Sequence, residues 1–182
     1  MQTVYILLAR GFEESEALVP ADLLKRAGAN VILVATEGGL AVTGSHGFTI
    51  TADITIDEIR KEDMSCLVLP GGLPGTDLLG NNPRVLDLIE YAASRGAFIA
   101  AICAAPSILG KMRLLDGRNA AVYPDFAPAL QYANITGKKV EHDDIFITAE
   151  GMGVSFEFGF KLIEVMFGAD AANEIRSAVR YK

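Results

Sequence analysis

Pro83-Arg-Val-Leu-Asp-Leu-Ile-Glu-Tyr-Ala-Ala-Ser-Arg95-Gly96-Ala-Phe98-Ile-Ala-Ala-Ile102-Cys103-Ala-Ala-Pro106 is the stretch that decides the fold. Pro83 stands where the first turn of a helix tolerates a missing N–H, and Gly96 follows Ser94-Arg95 where a left-handed residue closes a helix. Phe98 to Ile102 is then a short unbroken apolar run, the pattern of a strand buried on both faces. Cys103 ends that strand, and Pro106 opens a further helical pattern reaching Met112. Helix, glycine, buried strand, polarisable side chain, helix: this is the grammar of a strand–helix repeat.

The same grammar extends in both directions. Val4–Leu8, Val31–Ala35, Cys66–Leu69, Ala120–Val122 and Ile145–Thr148 read as further buried strands, and Ser15–Ala27, Ser155–Phe167 and Ala169–Val179 as helices. Gly28 and Gly168 sit at helix ends as Gly96 does. Repetition of this kind implies right-handed βαβ units and a mostly parallel sheet with helices on both faces. Leu40 to Ala52 breaks the rhythm: β-rich flanks around Gly44–Gly47 read as a hairpin insertion. With no linker or repeat, residues 1–182 are read as one α/β domain, for which 182 residues suffice without a metal or disulfide staple.

Composition narrows the function classes. Apolar residues are 51% of the chain and charged ones 21%, so a disordered chain is excluded. The net charge of −7, with no run of three Lys or Arg, argues against nucleic acid as a partner. The longest uncharged stretch, near Ala97–Gly110, is interrupted by Pro106, so no membrane span is expected. Val4–Ala9, with no basic residue before it, reads as a first strand and not as a signal peptide. Two cysteines and two histidines without ligand spacing predict neither a zinc site nor any other metal or cofactor, and scarce cysteine favours a reduced, cytoplasmic setting.

Ligands of such sheets bind outside the carboxyl ends of the strands, and three strand ends carry chemistry. In Ala100-Ala-Ile-Cys103-Ala-Ala-Pro106 a thiol stands at a strand–helix junction between small residues, the arrangement of a nucleophile elbow. A thiol beside a helix N-terminus is drawn toward thiolate; the alternative is a small packed core residue, which is the reading for Cys66. In Leu67-Val-Leu-Pro70-Gly71-Gly72-Leu-Pro-Gly75, glycine backbone either points N–H groups at an anion or makes a plain tight turn. In Gly11-Phe-Glu13-Glu14-Ser-Glu16-Ala, the carboxylates either complement the helix dipole in solvent or one of them turns inward over the thiol. Glu16, followed by apolar Ala17-Leu18-Val19, is the candidate to face inward. His46 and His142 read as surface residues, which leaves a cysteine nucleophile without an imidazole base.

Taken together and in this order, these motifs resemble the ThiJ/PfpI superfamily, most closely its DJ-one-like branch. Gly151-Met-Gly-Val-Ser-Phe-Glu-Phe158 and Gly44-Ser-His-Gly47 with Ala52-Asp53 add to the resemblance, which spans essentially the whole chain. It implies a flavodoxin-like three-layer sandwich (class I glutamine amidotransferase-like), usually a homodimer. It further implies Cys103 as the reactive cysteine, Glu16 as a protonated carboxyl bonded to it, and the Gly72 and Ala104 amides as an oxyanion pocket. Where the family often has a histidine before a proline, this chain has Tyr123-Pro124, so Tyr123 takes the third catalytic position. The peptidase branch carries histidine directly after the cysteine; Ala104 stands there, which argues against peptidase activity. The expected function is thiol chemistry on small reactive carbonyls or glycated adducts, of glyoxalase or deglycase type. The alternative is an oxidative-stress sensor or redox-regulated chaperone whose Cys103 becomes a sulfinate without turnover.

Overall fold

In chain order the elements are β1 (Thr3–Leu8), α1 (Glu14–Arg26), β2 (Asn30–Ala35), β3 (Ala41–Thr43), β4 (Thr49–Thr51), β5 (Ile54–Thr55), β6 (Met64–Leu69), α2 (Gly75–Gly80), α3 (Pro83–Arg95), β7 (Phe98–Ile102), α4 (Pro106–Lys111), β8 (Asn119–Ala120), β9 (Asn134–Ile135), β10 (Val140–Asp143), β11 (Phe146–Ala149), α5 (Ser155–Phe167) and α6 (Ala169–Ala178). They are taken from a computed structural model describing residues 1–182. The central sheet runs β10-β11-β7-β6-β1-β2-β5 and is parallel throughout except where β10 pairs antiparallel with β11.

Alternation along each buried strand divides the core into two layers. Val4, Ile6 and Leu8 of β1, with Ala100 and Ile102 of β7, face α1, α5 and α6, where Leu23, Leu24, Phe158, Leu162 and Ala172 meet them. Tyr5, Leu7, Ile99 and Ala101 face the other way, onto Leu79 of α2, Ile89 of α3 and Ile108 of α4. The result is the flavodoxin-like α/β/α sandwich. Continuous apolar runs read as strands because both faces are covered.

The helices at Pro83–Arg95 and Ser155–Phe167 occupy the residues read from the pattern, and β3 and β4 form the antiparallel hairpin, Val42 opposite Ile50. Three differences stand out. Ala120–Val122 is not a strand of the central sheet: only Asn119–Ala120 is extended, paired with β9 in a separate two-stranded sheet. The run is short, it runs into Tyr123-Pro124, and the Ala121 N–H is claimed by Thr148 Oγ1 at 2.9 Å, while β10 takes the free edge of β11. α2 follows the Leu67–Gly75 stretch over residues for which the pattern predicted no element, because Thr76 and Leu79 are buried against the core between its two terminal glycines. Gly168, read as a left-handed helix end, has φ 95 and ψ 163 and passes straight into α6. No helix is long and apolar enough to cross a membrane.

Candidate active site

Cys103 follows β7 and has φ 63, the left-handed region that a side chain normally avoids. Holding it there costs about 1–2 kcal/mol, and the surrounding backbone enforces it. Its N–H donates to Ala149 O at 2.9 Å, its carbonyl accepts from Tyr123 N–H at 2.9 Å, and Ala105 N–H closes the turn on Ile102 O at 3.1 Å. Ala104 and Ala105 are buried beneath the turn. The elbow read from the sequence is present, with the thiol partly exposed, whereas Cys66 is fully buried within β6.

Glu16, in the first turn of α1, is 0% exposed. The Gly71 N–H donates to its Oε2 at 2.8 Å, and Oε1 has no conventional donor within reach. The carboxyl and the Cys103 thiol share a hydrogen bond. The glycines of Pro70-Gly71-Gly72 make this contact possible. A Cβ on Gly71 would stand 2.6 Å from Glu16 Oε2 and 2.7 Å from Cys103 Cβ. Gly72, at φ 87, turns its amide toward the sulfur, as Ala104 does from the other side.

Burial pushes the Glu16 carboxyl up to about 7, against the hydrogen bonds from Cys103 and Gly71 that lower it. Burial, then the charge of Glu16 and its hydrogen bond, push the Cys103 thiol up to about 12, against the Ala104 and Gly72 amides. Burial thus opposes charge on both members of the pair. Glu16 is the carboxyl placed beside the thiol.

The other expected residues divide. Tyr123 is tied to Cys103 by its backbone, but its hydroxyl makes no hydrogen bond to the thiol or to Glu16. Its half-exposed ring lines a cavity of about 320 Å³ together with Pro124, Glu150, Gly151, Met152, Gly153 and Val154. His142 lies on edge strand β10, its Nε2 at 2.8 Å from the Asp144 carbonyl, and reaches nothing in the site.

Sequence reading missed a second polar cluster. Glu14 is not a solvated dipole partner: it is 8% exposed and folded under the β3–β4 hairpin. His46 N–H donates to its Oε1 at 2.9 Å, the His46 ring Nδ1 lies 3.1 Å from Oε2, and Phe48 N–H approaches at 3.4 Å. Burial raises the Glu14 carboxyl, but its own amide, those of His46 and Phe48, and the His46 ring outweigh it and leave it below the usual range. Glu13, Glu14 and His46 bring three ligand-type atoms within 4.8 Å of one another, the grouping best placed to hold a metal ion, though ion pairing already satisfies it. Only the 32-residue separation of Glu14 and His46 hid this from the sequence. Glu150 was also missed, because nothing local marks a cavity.

Comparison with known proteins agrees with this fold. The model of the DJ-1/PfpI family matches residues 2–165. The chain is 35% identical to protein dj-1beta of Drosophila melanogaster over 96% of its own length and 94% of that protein's. It is 32% identical to a protein named deglycase from Pyrococcus horikoshii, covering 84% of this chain and 87% of the other. The solved structure of oxidized Toxoplasma gondii DJ-1 superposes with a TM-score of 0.94 at 30% identity, over 100% of this chain and 99% of that one.

Proposed function

The chain belongs to the DJ-1/PfpI family, and from that premise we propose that it is a cysteine-dependent enzyme acting on small reactive carbonyls or their glycated adducts. The observation that carries the reading is the strained Cys103 with a single buried carboxyl and two backbone amides on its sulfur. Ionised Glu16 takes the thiol proton as sulfur bonds to the aldehyde carbon. The carbonyl π pair moves to oxygen, which the Gly72 and Ala104 amides receive. With methylglyoxal the product is a hemithioacetal. Transfer of its C–H proton to the neighbouring carbon, through Glu16, gives a lactoyl thioester, and water then cleaves the C–S bond and restores the thiol. One water is consumed and no external oxidant or reductant is needed. On a hemiaminal adduct of an amine, sulfur instead displaces nitrogen at the carbinol carbon: the C–N bond breaks as the C–S bond forms, the amine leaves with the thiol proton handed on by Glu16, and the same hemithioacetal results.

A carboxyl titrating near neutrality is well matched to this shuttle. Methylglyoxal consumption should vanish in Cys103→Ser, and equal rates for the two proteins would sink the proposal. Tyr123, at the cavity wall, is assigned to substrate contact and not to proton transfer. A homodimer belongs to the same proposal, and sedimentation would read it.

A second reading has its own support. No imidazole or Tyr123 hydroxyl is hydrogen-bonded to the sulfur, and a similar protein has been solved in an oxidized state. A peroxide would then convert the thiol to a sulfenic and next a sulfinic acid, releasing one water at each step. Mass spectrometry after mild peroxide should show two added oxygens on Cys103 and none on Cys66; equal modification of both would count against it.

A further inference from the structure

The cavity between Tyr123 and the chain that follows β11 has one charged wall. Its other lining residues are Tyr123, Pro124, Met152, Val154 and glycine backbone; Glu150 alone carries a charge. β11 pairs in parallel with β7, Ala149 opposite Ile102. Continued by one residue, that register sets Glu150 beside Cys103, about 5 Å away across the sheet, and the Cys103 N–H bond to Ala149 O holds the two strand ends together at this point.

Glu150 is half-buried, and its carboxylate enters no ion pair or hydrogen bond. The nearby cations along the chain are engaged elsewhere, Lys138 with Glu141 at 3.2 Å and Lys139 with Glu157 at 3.7 Å. The carboxylate has no structural partner, and its residue lines a concave, largely apolar site one register step past the strand end that carries the nucleophile. Such lone polar groups set ligand orientation and choice in small-molecule pockets.

We propose that Glu150 is the specificity-determining residue of this site, selecting carbonyl substrates that carry a positive charge over anionic 2-oxo acids. This rests on the reading of the cavity as the approach to Cys103. The selection is Coulombic: a cation nearing Cys103 is drawn by the carboxylate and an anion repelled, an effect of about three- to thirtyfold on relative rates at this range.

Paired thiol reagents test it without requiring turnover. Trimethylammonium-ethyl and sulfonato-ethyl methanethiosulfonate transfer the same kind of alkylthio group to a cysteine, releasing methanesulfinate, and differ in charge. Modification rates at Cys103, read by peptide mass, should give a cation-to-anion ratio that falls about tenfold in Glu150→Gln and further in Glu150→Lys. Both reagents meet the same variant, so a loosened fold cancels from the ratio. An unchanged ratio in both variants overturns the proposal. Turnover of methylglyoxal and glyoxylate is measured alongside. A shifted ratio without any carbonyl consumption by the unmodified protein removes the enzymatic reading and leaves charge selection standing. Consumption with an unshifted ratio does the reverse.

Discussion

Glu14 and Glu16 lie two residues apart in the first turn of α1, both buried, and the fold treats them oppositely. Glu14 turns under the hairpin, collects amides and an imidazole, and is held below the usual carboxylate range. Glu16 turns toward Cys103, receives one amide from Gly71, keeps an unsatisfied oxygen, and is pushed up to about 7. Desolvation acts on both, so burial alone does not decide a carboxyl's charge. The number of donors does. The first arrangement is a structural latch and the second leaves a proton free to move.

Four measurements would break or sharpen this contrast, beginning with the largest effect. Glu16→Gln should lower kcat/KM for methylglyoxal by about a hundredfold or more, and should abolish a pH dependence in which kcat/KM rises as pH passes through about 7, where Glu16 becomes able to accept the thiol proton. A variant that keeps the rising limb would show that another group supplies the base. The same substitution should stabilise the fold at pH 8. The folded carboxyl titrates above its unfolded value, so ionising it costs stability that accumulates between pH 4.5 and about 7, up to about 3 kcal/mol; denaturant unfolding at pH 5 and 8 should show the variant's advantage at pH 8 only.

Glu14→Gln should do the opposite, losing about 1–3 kcal/mol near neutrality through weakened charge-assisted hydrogen bonds. Because the folded Glu14 is depressed, that difference should be present above its ordinary value and fade as pH falls through the folded one. The smallest effect belongs to His46→Gln. Hydrogen bonding to Glu14, with the charge of Glu13, raises His46, so its contribution is fully present below about 6.5 and lost as pH rises through the folded value. Thermal unfolding should show a small drop in Tm at pH 6 and none at pH 9; a drop that persists at pH 9 would mean that the hairpin packs on Glu14 without needing the charge.

The two cysteines show how far local pattern carries. Cys66 within an apolar run and Cys103 at a strand–helix junction between alanines were separable by neighbours alone, since a fully buried strand and a sharp turn impose different local requirements. The inward Glu16 could be proposed from the apolar residues after it, and its place was confirmed by Gly71, 55 positions away. Glu14 with His46 could not be proposed, because the hairpin that joins them is a tertiary contact. Ala120–Val122 looked like a strand by composition, yet edge competition from β10 and the Thr148 hydroxyl decided otherwise.

By itself, then, the chain's order of apolar runs, glycines and prolines determined a parallel layered sheet with a thiol at one strand end. Periodicity and turn chemistry act between near neighbours, so they are written locally. Tertiary structure alone decided which carboxyl meets that thiol with too few donors, that burial pushes both groups of the pair upward, and that Glu150 lines the cavity. Desolvation and Coulomb interactions depend on distances in space, and no spacing along the chain encodes them.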